Sequence, residues 1–325
     1  MEGAQTTAVA AVRLEKDDAY YALDEERLEQ LQLALAAALR PDPLASSPEN
    51  PPPTELPPVL AIGAPAEVNV DQHDDAPLLL AKRVTGMRRW TISAEANDWA
   101  LATDLATGTT RWTRLKVSHK RGRPPTPSKS GPAPDGIGAR SVSVSMVRHF
   151  VLRSALNEEW VPGRYALAVV EYDWISNSVV VKVEGKPADG AAGASHTRAL
   201  SEHVQVDAAP LPLAALGAAL AVPSEVAHGA PIPVRGAVRL PGARAPLALP
   251  GVLVVTVLLL GLDANEPLAV ELAVPAKGGP NEVEAAFSVD LALALPEHPA
   301  AGSYQAYLVA GDAIAGPHAL RVKAP

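Results

Sequence analysis

The chain has 325 residues, of which 48% are hydrophobic and 20% are charged, and its formal net charge is −8. This composition excludes a disordered chain and argues against a generally basic nucleic-acid-binding surface, and the length accommodates about two domains. The sequence contains no cysteine, which excludes thiol nucleophiles, zinc–thiolate sites and iron–sulfur clusters.

The first 40 residues predict a short amphipathic helix, because Leu28, Leu31 and Leu35 fall on one helical face. A Pro-rich tether over 41–57 follows, with too few apolar residues to bury a core. Two interpretations of the helix are open. It packs on the domain that follows, or it docks on a partner.

From about residue 58 the hydrophobic pattern predicts β-strands. Several short segments, such as 141–147, alternate apolar and polar residues, as half-buried antiparallel strands do. Residues 185–229 are rich in Gly, Ala and Pro, and this composition predicts a linker. The linker would separate a first β-sandwich over 58–184 from a second over 230–325.

The most apolar run, 251–262, is shorter than the roughly 20 residues of a membrane-spanning helix. Its Val-rich middle predicts a buried strand instead. The chain begins without a positively charged region followed by an apolar one, so we expect no signal peptide, no membrane span and a cytoplasmic location.

The sequence contains an internal repeat with a constant offset of 139 positions, which relates residue 163 to residue 302. Without gaps, this offset aligns 142–183 with 281–322. Matches of Gly, Tyr, Asp and Ile in one frame are harder to obtain by chance than the Ala, Leu and Val matches of this composition. The most informative identical pairs are Gly163/Gly302, Tyr165/Tyr304, Asp173/Asp312 and Ile175/Ile314.

The Gly-x-Tyr sequence at the start of each penultimate strand resembles the tyrosine corner of immunoglobulin-like domains, where the hydroxyl bonds to backbone across the corner. The resemblance implies an all-β fold of two tandem immunoglobulin-like antiparallel β-sandwiches with a short N-terminal helix. Leu167 and Ala306 stand where that family carries a disulfide Cys, so packing between the sheets would be apolar. The alternative is another two-sheet fold with similar hairpins. The structural corner residues are Gly163, Tyr165, Gly302 and Tyr304.

The segment 119–129 is basic and contains Arg-Gly-Arg-Pro, which resembles the core of an AT-hook. That resemblance implies that Arg121 and Arg123 enter the minor groove of A·T-rich DNA, with Lys120 and Lys129 on phosphates. A solvated loop and a loop that binds an acidic protein partner are the alternatives.

The acidic cluster of Asp71, Asp74 and Asp75, with His73 among them, has the oxygen density that Ca²⁺ prefers. It lacks the spacing of a known calcium loop, so we predict a solvated loop. The sequence has no nucleophile elbow, Walker loop or His-Glu-x-x-His motif. We therefore predict no catalytic residue, no cofactor, no metal and no enzymatic activity.

All five tryptophans lie in the first half of the chain. We predict that they fill a core that is poor in Phe. Trp174 is the exception, since it falls in a predicted hairpin tip, and we interpret it as a contact with a partner or with the neighbouring domain.

These patterns favour a non-enzymatic structural or protein-interaction component of a larger assembly, which binds a protein partner or associates with itself. One alternative is a nucleic-acid-binding protein that places the 119–129 loop in the minor groove. Another is an accessory recognition module of an enzyme or secretion system.

Overall fold

In a computed structural model, the residues that the structure describes are mostly in strands, with two short helices among them. This confirms the predicted all-β class. The predicted N-terminal helix, the tether and the basic loop lie outside the described residues. Those residues are 59–69, 71, 76–85, 98–115, 143–156, 160–171, 174–186, 201–206, 211–213, 215–242, 245, 247–249, 251–261, 267–279 and 281–325.

The first unit, residues 59–186, forms two layers. One sheet has the order β1-β3-β6, and the other has the order β2-β9-β7-β4-β5 with β8 beside β7. Helix α1 (Leu152–Leu156) follows β6. The strands are β1 (Val59–Gly63), β2 (Glu67–Asn69), β3 (Pro77–Thr85), β4 (Trp99–Asp104), β5 (Thr110–Arg114), β6 (Ser143–Val151), β7 (Gly163–Glu171), β8 (Trp174–Ile175) and β9 (Val179–Glu184).

The second unit, residues 201–325, contains ten strands joined into one hydrogen-bonded sheet that folds back on itself. Helix α2 (Leu291–Ala294) follows β17. The strands are β10 (Val204–Val206), β11 (Gly217–Ala221), β12 (Glu225–Ala227), β13 (Pro233–Pro241), β14 (Leu247–Leu249), β15 (Val252–Gly261), β16 (Leu268–Gly278), β17 (Glu282–Asp290), β18 (Gly302–Ala310) and β19 (Ala313–Lys323).

Strand β16 connects the two layers of the second unit. Its residues 268–275 pair with β15, and its residues 276–278 pair with β17. The layer β16-β15-β18-β19-β12 therefore passes into the layer β11-β13-β17 through one continuous strand. Parallel pairing occurs at an edge of each unit, between β2 and β9 and between β12 and β19.

Strands β10, β11 and β12 lie inside the interval 185–229, where the sequence predicted a linker. The Gly- and Ala-rich residues 217–221 form β11, which pairs along its whole length with β13. Small side chains gave this stretch the composition of a linker, but its main chain supplies the hydrogen bonds of a strand.

Alternating side chains bury both faces of the central strands. In β15, Val257 and Leu259 belong to the core of the second unit, whereas Leu258 and Leu260 belong to a separate cluster shared with the first unit. Successive side chains on a strand point to opposite faces, so this strand has apolar packing on each side. Residues 252–261 of the apolar run therefore form a strand whose interior is buried, as its Val-rich middle predicted.

The offset of 139 positions also relates the strands themselves. It maps β6 onto β17 and β7 onto β18 with identical boundaries. The same irregularity occurs in both final strands. Ile175 pairs with Val170 and Val179 with Leu167 in the first unit, and the pairs Ile314/Val309 and His318/Ala306 follow at the same offset.

Candidate functional site

The corner tyrosines bond to the backbone of the turn that precedes them. The Tyr165 hydroxyl donates to the Val161 carbonyl at 2.8 Å and accepts from the Val161 N–H at 3.0 Å. The Tyr304 hydroxyl donates to the Ala300 carbonyl at 2.8 Å. Burial raises the pKa of both phenols above the ordinary value. These hydrogen bonds stabilise the turn that precedes each penultimate strand.

An apolar cluster joins the two units, and we call it the stacking interface. Strands β4 and β7 of the first unit supply its residues from one side, and strands β15 and β18 of the second unit supply them from the other. Two sheets therefore pack face to face, and the molecule is a stack of four β-layers. The buried members are Leu101, Val170, Leu258, Leu260, Tyr307 and Val309.

The stacking interface also contains polar groups on one side. The Thr110 N–H of the first unit donates to Oε1 of Glu271 of the second unit at 3.1 Å. The Thr103 and Thr110 hydroxyls lie 3.0 Å apart and share a hydrogen bond. Thr256, which is opposite Glu271 in the strand register, is buried and its hydroxyl bonds to none of the residues that the structure describes. A directional bond between the units restricts how one sheet rotates on the other.

The tryptophans divide between two sets of contacts. Trp99 and Trp112 pack against the stacking interface, and Trp160 is buried in the core of the first unit. Trp174 is half-buried and packs against that core, while its neighbour Ile175 packs against the stacking interface. Ile175, the residue beside Trp174, thus lies at the contact with the second unit. Trp90 lies outside the described part of the chain.

The basic residues predicted to contact a partner or nucleic acid, Lys120, Arg121, Arg123 and Lys129, all lie outside the described residues. Of the acidic cluster, the structure describes Asp71 alone.

Asp71 has a structural contact. Its Oδ2 accepts from the Lys186 N–H at 2.7 Å, and its own N–H donates to Asn69 Oδ1 at 3.1 Å. Within the described ranges, no group of three or more side chains is placed to hold a metal. No helix in those ranges is both long enough and apolar enough to cross a bilayer.

Residues 201–206, which we call the edge segment, lie along the second unit in a place the sequence did not predict. Its strand, β10, pairs antiparallel with residues 287–289 of β17. Ser201 bonds twice to Ala273 of β16, donating its N–H to the carbonyl at 3.1 Å and accepting from the N–H through Oγ at 3.0 Å. The edge segment thus contacts both layers of the second unit.

Comparison with known proteins identifies no family for the chain. No protein-family model matches the sequence, and no curated protein matches it. Among solved structures, the chain is similar to red sea bream transglutaminase at 10% identity, over 82% of this chain and 31% of that one, with a TM-score of 0.17. The chain thus spans less than a third of that protein's length. At this TM-score the likeness carries no argument about fold or activity.

Proposed function

We propose that the chain is a non-enzymatic structural or protein-interaction component of a larger assembly, built from two tandem immunoglobulin-like sandwiches. The observation that carries this proposal is the stacking interface. Apolar side chains of Leu101 and Val170 meet those of Leu258 and Tyr307 with almost no exposure to solvent. Such packing makes the two units one body with a set orientation, which is a property that a scaffold requires.

The immunoglobulin-like assignment has several supports. Each unit has two layers, a short edge strand that pairs parallel with the last strand, and a tyrosine that bonds to the backbone four residues earlier. The offset of 139 positions maps β6 and β7 onto β17 and β18. We infer that the units are copies of one ancestral sandwich and that the second copy begins ahead of residue 217, where β11 starts.

A rigid stack holds its two outer layers at a fixed distance from each other. Neighbouring β-layers pack about 10 Å apart, so the two outer layers lie roughly 30 Å apart with two layers between them. Faces used for packing inside the stack are unavailable to partners. Partners would therefore contact the outer layers, the strand edges and the loops, and the rigid stack would keep those contacts in register.

Sedimentation of the native full-length chain tests the proposal. We expect a species larger than the 33.8 kDa chain, and chemical cross-linking is expected to join the chain to a protein partner or to a second copy. A chain shortened by residues 1–40 is the matched comparison, since it keeps both units. If both forms sediment only as compact monomers and cross-link to nothing, the chain is not an assembly component.

A further inference from the structure

The edge of β17 is divided between two strands of the same chain. Residues 283–285 pair with β16, and residues 287–289 pair with β10 of the edge segment. The division arises because β16 leaves this layer to join β15 and so provides no hydrogen bonds beyond residue 285. A further strand is needed there, since an uncovered edge presents unpaired N–H and C=O groups.

The edge segment covers this edge with little burial of its own. Its strand is three residues long, and none of the three is buried. Val204 packs partly against the core of the second unit. Among the described residues, its other attachments include the main-chain ladder and the two bonds of Ser201 to Ala273. Attachment that depends mainly on main-chain bonds does not require this particular sequence.

The side chain of Val206 obtains little burial at this edge. Val206 is opposite Phe287 in the register, so its side chain lies on the same face of the sheet as that fully buried ring. Nevertheless, 61% of Val206 is exposed. A larger apolar side chain at this position would cover more of the surface beside Phe287 and would gain burial that valine does not obtain.

We propose that the edge of β17 at residues 287–289 is a binding site for an extended strand of a partner protein, and that the edge segment is its displaceable internal occupant. The proposal rests on the function proposed above and names the surface that serves it. The partner strand runs antiparallel to β17 and has apolar residues where the edge segment has Val204 and Val206, with the larger one at the second position. A polar residue lies between them, where Gln205 faces Ser288.

Displacing the edge segment in the full-length chain tests the proposal. In the double variant Gln205→Pro/Val206→Pro, at least one N–H that would face β17 is removed, because adjacent residues alternate in direction. The probe is a fluorescently labelled peptide with the sequence of residues 201–210, and binding is measured by anisotropy. We expect the double-proline variant to bind this peptide at least tenfold more tightly than the unmodified chain, as a site freed of its internal competitor does.

The side-chain requirement and the fold are controlled separately. A peptide with Val206→Phe is expected to bind more tightly than the native peptide, and one with Val206→Asp is expected to bind at least tenfold more weakly. The chain variant Gln205→Thr keeps the ladder and is expected to behave as the unmodified chain. The variant Ser201→Ala loses one bond to Ala273 and is expected to bind peptide with intermediate affinity.

Amide exchange locates the bound peptide. The amides of residues 287–289 are expected to gain protection when peptide is added to the double-proline variant. The proposal is overturned if that variant binds no more tightly than Gln205→Thr, or if protection appears elsewhere. It is also overturned if the variant dimerises through this edge and excludes the peptide, because a second copy is then the occupant. None of these results alters the sedimentation of the unmodified chain, so the two proposals fail separately.

Discussion

At the scale of single residues, the two corner tyrosines occupy equivalent places but do not bond identically. Tyr165 both donates to and accepts from the backbone of Val161, whereas Tyr304 donates one bond to the Ala300 carbonyl. Tyr165 is also slightly more buried, at 3% exposure against 7% for Tyr304. The first corner therefore depends more on its hydroxyl than the second does.

Removing the hydroxyl is expected to destabilise the first corner more than the second. Tyr165→Phe leaves a backbone N–H and a carbonyl without this partner, at a cost of about 1–3 kcal/mol. Tyr304→Phe removes one bond and is expected to cost less. Urea unfolding of both variants measures the difference in the free energy of unfolding. A larger loss for Tyr304→Phe would contradict this ranking.

Deprotonation of Tyr165 is expected to lower the free energy of unfolding at high pH. Burial raises the pKa of Tyr165 above the ordinary 10.0, so the folded chain holds the phenol proton more tightly than the unfolded chain does. The contribution to stability is complete below pH 10 and is lost as the pH rises through the folded-state pKa. Unfolding free energies measured from about pH 8 to pH 11 are expected to fall less steeply in Tyr165→Phe.

Some residue roles were visible in the sequence and others were not. Gly-x-Tyr carries its own signature, because a corner needs a hydroxyl at a set spacing from a turn, and this signal located Tyr165 and Tyr304. Glu271 and Asn177 have no comparable signature in the sequence. Their partners, Thr110 and Ile62, are 161 and 115 positions away along the chain, and only the folded chain brings them together.

At the scale of elements, edge strand β1 is held by a side chain of the opposite layer. The Ile62 N–H donates to Asn177 Oδ1 at 2.9 Å, and Asn177 Nδ2 donates to the Ile62 carbonyl at 3.1 Å. The amide of Asn177 thus replaces one residue of a neighbouring strand and satisfies both main-chain groups of Ile62. One side chain thus attaches β1 to the opposite layer of the first unit.

Loss of this amide is expected to loosen β1. Asn177→Ala removes both bonds and is expected to lower the free energy of unfolding by about 1–3 kcal/mol, with faster exchange of the Ile62 amide. Asn69→Ala is the matched control, because the amide of Asn69 accepts from Asp71 in an exposed turn. Equal exchange rates at Ile62 in the two variants would show that Asn177 does not hold the strand.

Strands with regular alternation or long apolar runs were predictable, and strands made of small residues were not. The pattern over 141–147 and the apolar run 251–262 correspond to β6 and β15. The Ala- and Gly-rich β11 has no hydrophobic period to detect. Its existence depends on main-chain pairing with β13, which is a tertiary property.

At the scale of the whole molecule, adjacent leucines in β15 serve different parts of the stack. Leu258 lies in the stacking interface and Leu259 in the core of the second unit. Both are almost completely buried, at 1% and 0% exposure. Both are leucines, but their side chains point in opposite directions. Substituting each in turn therefore distinguishes packing in the stacking interface from packing in the core of the second unit.

Truncating either leucine to alanine is expected to lower the free energy of unfolding by about 2–5 kcal/mol. Only Leu258→Ala should alter the contact with the first unit. No tryptophan follows Trp174, so tryptophan emission reports on the first unit and on the stacking interface, where Trp99 and Trp112 lie. Leu258→Ala is expected to shift that emission to longer wavelength under native conditions, and Leu259→Ala is expected to leave it unchanged. Equal shifts would contradict a direct contact between the units.

The four-layer stack itself was only partly predictable. The long apolar run of β15 indicates a strand covered on both faces, but it does not name the second covering layer. That layer comes from β4 and β7 of the first unit, where Leu101 and Val170 face away from their own core. Such pairing depends on the shapes of two folded surfaces, which no local pattern records.

The parallel edge pair of the second unit has a mechanical consequence. Glu225, Val226 and Ala227 of β12 run parallel to Arg321, Val322 and Lys323 of β19. A pull applied between the beginning of β12 and the end of the chain draws these strands past each other along their length. All their hydrogen bonds then carry the load together and do not open one after another, so this edge is expected to resist tension far better than an antiparallel hairpin of equal length.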